Sequence, residues 1–118
     1  MTKALLIAAA LMISPVASQA AGLQCKSARL GLELAVPLQG QALTGSVTLT
    51  RVQSTLLEVK PDRVRDLVVT PTSVSFIALA ADSEETILKF EATKNEYDRF
   101  VGYILYAHSQ IGFVCTQN

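Results

Sequence analysis

Beyond its first twenty residues the chain alternates. Apolar and polar positions exchange every second residue in short runs, and the 3.6-residue spacing of an amphipathic helix is weak throughout. Residues 26–36 predict a first strand. Ala28, Leu30, Leu32, Leu34 and Val36 share one face, and Ser27, Arg29 and Glu33 the other. Residues 43–51 predict a second, rich in β-branched side chains, with Val47 and Leu49 alternating against Thr48 and Thr50. A third is expected in 54–60, ended by Pro61. Residues 61–66 read as a turn or a single helical turn with Pro61 at its first position.

A fourth strand is expected in 66–70 and, after Pro71 and Thr72, a fifth in 73–80. The clearest alternation is in 86–93, where Leu88, Phe90 and Ala92 oppose Lys89, Glu91 and Thr93. Residues 99–107 and 110–116 complete the set, with Ile111, Phe113 and Cys115 on one face of the last strand. Eight strands joined mostly by short turns force antiparallel neighbours. The fold class predicted is all-β: a small antiparallel up-and-down meander barrel of about eight short strands, with a β-sandwich as the alternative. An interior of that size is filled by side chains.

The first twenty residues follow another pattern. Lys3 precedes an unbroken apolar run over 4–13, Pro15 ends it, and Ser18 and Ala20 place small residues at −3 and −1 of a cleavage site. That is the layout of a secretory signal peptide, too short in its apolar part to span a bilayer. The expected division is therefore a leader over 1–20 and one all-β domain over 21–118, periplasmic or secreted, with no transmembrane anchor. Gly22 and Gln24 before Cys25 do not fit a lipoprotein signal.

Export changes the meaning of the two cysteines, Cys25 and Cys115. In an oxidising compartment they predict one disulfide that joins the first strand region to the last and closes the barrel, with its sulfurs shielded. Parity poses a difficulty. Cys115 alternates with the inward residues of its strand, whereas Cys25 is out of step with Leu30, Leu32 and Leu34. A bulge near Cys25 would reset the alternation.

Charge narrows the partners. The chain carries ten basic and ten acidic residues, and loss of Lys3 leaves one fewer basic than acidic. Such a surface has no electrostatic footprint for nucleic acid. Glycine-rich phosphate loops, zinc-ligand spacings and nucleophile elbows are absent from the sequence, so neither a metal nor another cofactor is expected. His108 reads as an exposed turn residue, and Asp82, Glu84 and Glu85, like Glu96 and Asp98, as solvated turns. Lys60, Asp62, Arg63, Arg65 and Asp66 read as a local salt-bridge cluster.

All seven aromatic residues lie between Phe76 and Phe113, which puts the bulky core in the C-terminal meander. Two strands there are apolar on both faces, and a filled barrel leaves one face of each outside. Ile77, Leu79, Val101, Tyr103 and Leu105 are thus the expected contact residues. The function expected is that of a non-enzymatic binding module acting through protein–protein contact as an inhibitor or accessory factor. The alternative is a carrier of a small apolar ligand; a hydrolase is the weaker third reading.

Overall fold

The computed structural model describes residues 22–27 and 29–117. The predicted leader and its cleavage site lie outside them.

The first predicted strand is two strands. β1 (Leu23–Ser27) and β2 (Leu32–Val36) form a hairpin, turned at Gly31 with φ +66° and held by the Gly31 N–H donating to the Ser27 carbonyl at 3.2 Å. Glycine reaches that left-handed conformation without a Cβ penalty. The hairpin removes the parity difficulty. Leu23, Cys25 and Ser27 face inward from one strand and Leu32, Leu34 and Val36 from the next, and no bulge is needed. Leu30, expected inside, stands in the turn and is 46% exposed.

A small hairpin, β3 (Leu38–Gln39) and β4 (Ala42–Leu43), precedes β5 (Val47–Arg51), whose Val47 and Leu49 are buried as the alternation predicts. β6 (Ser54–Val59) follows. Pro61–Arg63 is one 3-10 turn, and β7 (Val64–Thr70), β8 (Ser73–Leu79), β9 (Thr86–Lys94), β10 (Phe100–Tyr106) and β11 (Ser109–Gln117) form the expected meander.

Nine strands make one antiparallel sheet in the order β6-β5-β2-β1-β11-β10-β9-β8-β7, and this sheet curls into a nearly closed barrel. From β6 to β7 the order takes eight antiparallel steps, so both edge strands run in the same sense. The residues between them, 60–63, are too few for a crossover between parallel neighbours. β7 therefore resumes where β6 stops. The two act as one long kinked strand, hydrogen-bonded to β5 along its first half and to β8 along its second. Counted this way the barrel has eight strands, the even number that antiparallel closure requires; they differ from the eight read from alternation, since the first of those is two strands here and the third and fourth are one.

The kink is clasped. Arg63 donates from Nε to the Ala80 carbonyl at 3.1 Å and from Nη2 to the Ser83 carbonyl, and pairs with Glu84 at 3.2 Å. The charges of 60–66 thus do not form the local cluster expected of them: Arg63 reaches the acidic β8–β9 loop, and Arg65 bonds the Asp62 carbonyl at 2.6 Å.

Closure between the first and last described strands is as predicted. β1 pairs with β11, and Cys25 and Cys115 are direct partners with Cα atoms 3.9 Å apart, disulfide-bonded and fully buried. In register, Leu34 lies on one side of this pair and Phe100 on the other. Farther along, Phe76 and Phe90 stack with centroids 5.2 Å apart. Burial of each such side chain contributes about 1.5–3 kcal/mol. At Gly102 on β10 a Cβ would collide with the Glu91 carbonyl oxygen and the Ala92 Cα of β9. Glycine at such a point lets the sheet bend sharply.

Candidate functional site

Burial of one face of β10 decides what its other face presents. Phe100 and Ile104 point into the core, so Val101, Tyr103 and Leu105 point out. Val101 and Leu105 are each 40% exposed, and Tyr103 is half-buried. The Tyr103 hydroxyl donates to Glu91 Oε1 at 3.2 Å, and Glu91 also pairs with Lys89 at 3.4 Å. This polar strip on the outside of β9 bounds the apolar face of β10 on one side.

On the other side lies β11. Its Val114 is the register partner of Val101 and is 45% exposed. Gly112, opposite Tyr103, adds no side chain. Beyond β11 the β1–β2 turn brings Leu30 and Arg29, with Lys26 beside Val114 in the ladder. Together these residues line an open groove of about 990 Å³ that includes Val101, Val114 and Leu30. Its lining contains two cations and no carboxylate.

The expected contact residues divide accordingly. Val101, Tyr103 and Leu105 stand together on one outer face. Ile77 is half-buried on β8 and is separated from them by Lys89, its partner on β9. Leu79 does not belong to the outer surface: it is 4% exposed. That end of β8 lies beside the β6–β7 connection: Leu57, Val59 and Arg63 line the same recess as Leu79, which stands apart from the buried core cluster that holds Ala78. Two residues of the surface lie outside the expected set. The signal for Val114 is present in the sequence, since it sits at outward parity between Phe113 and Cys115. Leu30 has no such signal while 26–36 reads as one strand.

Other candidate chemistry is dispersed. His108 sits in the exposed β10–β11 turn, where Ala107 and His108 both have positive φ. A second open depression, about 810 Å³, lies beside that turn between Leu105, Tyr106 and Ile87. Asp82 and Glu85 are exposed, and Glu84 is engaged by Arg63. Asp98 pairs with Lys94 at 3.1 Å, and Asn95 Oδ1 accepts from the backbone N–H groups of Tyr97 and Arg99, which shapes the β9–β10 turn. Among the described residues no group of three or more His, Cys, Asp or Glu side chains is placed to hold a metal ion, and no helix is long and apolar enough to cross a membrane.

No protein-family model, curated protein or solved structure matches the chain.

Proposed function

We propose that this protein is an exported, non-enzymatic binding module that works by protein–protein contact, as an inhibitor or accessory factor. Its contact surface is the outer face of β10 and β11. The observation that carries the reading is the register pair Val101–Val114, two β-branched residues side by side and 40% and 45% exposed, flanked by Leu30 and Leu105. Apolar residues scattered singly need no explanation, but a contiguous cluster in a groove marks a place where another molecule removes it from water.

Carriage of a small apolar ligand is the weaker alternative. Phe76, Phe90, Phe100 and Ile104 occupy the inward positions where a ligand would sit. The test is capture from an envelope extract on the immobilised domain over residues 21–118. The wild type is expected to retain a protein that the double variant Val101→Glu/Val114→Glu does not, with unchanged circular dichroism. Equal capture by the two overturns the assignment of this face.

A further inference from the structure

We propose that the partner protein is acidic where it meets the β1 side of the outer face of β10 and β11: it sets an apolar side chain against Val101 and Val114 and carboxylates beside Lys26 and Arg29. This rests on the proposed contact face and adds to it the partner's chemistry and the part that charge plays in binding.

Register places the groups. One cross-strand row runs through Thr93, Val101, Val114, Lys26 and Glu33, on β9, β10, β11, β1 and β2 in turn, and all five residues are exposed. Neighbouring strands lie about 4.8 Å apart. Lys26 is thus one strand spacing from Val114 and two from Val101. Arg29 and Leu30, exposed in the β1–β2 turn, line the same groove as Val101, Val114 and Lys26. From Gln24 to Leu32 the sequence carries two cations, Lys26 and Arg29, and no carboxylate.

Charges on the other side of the face are already matched. Lys89 pairs with Glu91, which also accepts from the Tyr103 hydroxyl, and Lys94 pairs with Asp98. Among the described residues Lys26 and Arg29 make no ion pair. Glu33, in register with Lys26, stands on β2, on the side away from the groove, and does not line it. Aliphatic residues at the centre of a face and unmatched cations along one edge disfavour a basic partner there and favour carboxylates. The stems of lysine and arginine extend the apolar surface up to the charge, and a guanidinium takes a carboxylate through two parallel hydrogen bonds. A phosphate backbone would meet the cations but leave Val101 and Val114 against water.

The two kinds of group act on different steps. Exposed charges at the edge of a contact act mainly on the rate of association and on its salt dependence. An apolar pair removed from water acts mainly on how long the complex lasts. Glu33 works against an acidic partner: its carboxylate stands one strand spacing beyond Lys26 and weakens the positive field that the groove presents.

A phage-displayed library of disulfide-cyclised random nonapeptides tests this. It is selected on the protein purified without reductant and depleted on Val101→Glu/Val114→Glu, so that only ligands of this face remain. These are expected to combine Asp or Glu with an aliphatic or aromatic residue. A synthetic copy is expected to associate about tenfold more slowly with Lys26→Gln/Arg29→Gln, to lose its salt dependence there, and to associate faster with Glu33→Gln. Selection on Lys26→Glu/Arg29→Glu is expected to return Lys and Arg in place of Asp and Glu. These variants change exposed side chains and are expected to keep the circular dichroism of the wild type. Face-dependent peptides without an excess of Asp or Glu, or the same sequences from the charge-reversed protein, overturn the proposal and leave the contact face standing. If no peptide depends on Val101 and Val114, the proposal falls; capture of a protein that Val101→Glu/Val114→Glu abolishes would then keep the face alone.

Discussion

Two glycines on neighbouring strands show how much one residue's surroundings decide. Gly102 faces inward, and any Cβ there meets the backbone of β9. Gly112 faces outward, with the nearest heavy atom 3.9 Å from where its Cβ would stand. Gly102→Ala is expected to cost about 3 kcal/mol or more, because backbone rather than a flexible side chain must give way. Gly112→Ala is expected to be neutral or to stabilise by about 0.5–1 kcal/mol, since glycine is the more costly residue within a strand. Urea denaturation of both variants checks the contrast; equal destabilisation would contradict the opposite facings. β9 offers a parallel case. Phe90 is fully buried, and Phe90→Ala should cost about 3–5 kcal/mol. Lys89→Ala and Glu91→Ala should each stay within about 0.5 kcal/mol, because the ion pair they share is half-exposed and screened. A larger loss for Lys89→Ala than for Phe90→Ala would invert the strand.

At the level of elements, turn chemistry separates what the sequence reveals from what it hides. The β5–β6 hairpin turns on Val52 and Gln53, with φ +48° and +69°. Two successive positive φ values belong to the tight hairpin turn that normally takes Asn-Gly. A β-branched residue in that conformation is strained, and Val52 is also 80% exposed. The double variant Val52→Asn/Gln53→Gly is expected to stabilise by about 1 kcal/mol or more, which for a domain of this size raises the melting temperature by about 4–8 °C. A lower melting temperature in calorimetry would contradict the strain. Strands with one wet face and one buried face are legible from alternation alone: Val47 and Leu49, Leu88 to Ala92, and Ile111 to Cys115 all face as their spacing predicts. What alternation cannot carry is a place where period two is interrupted without a conspicuous signal. Gly31 turns the chain inside a run whose apolar residues keep perfect spacing, so one strand is read where two exist and Leu30 is placed inside. Leu79 is buried beside the β6–β7 connection, so half of the apparent outer face of β8 is covered. The β10 half of the proposed contact surface was legible because nothing interrupts its alternation. The groove was not, because it depends on the β1–β2 turn standing beside β11, a tertiary event.

For the whole molecule the disulfide dominates. Cys25 and Cys115 are 90 residues apart in sequence. Closing so long a loop removes unfolded-state entropy worth about 4.6 kcal/mol in the chain-entropy account, comparable with the net stability of a domain this size. Peptide mapping without reductant should find a single cross-linked pair. Reduction should lower the thermal midpoint substantially and leave the all-β circular dichroism at low temperature intact. Two titratable thiols in the protein purified without reductant would contradict the bond.

Pairing of β1 with β11 also sets when the fold becomes available. Every other strand pair in the sheet joins segments close in sequence, so those hairpins assemble as soon as their own residues are free to meet. β1 finds its second partner only in residues 114–117. Until that last stretch has arrived, the side of β1 turned away from β2 stands open, and no local hairpin closes it. Such a chain commits to its native state late, after residues 114–117 are present, and an intermediate still held on the ribosome lacks the contact that makes the barrel a ring.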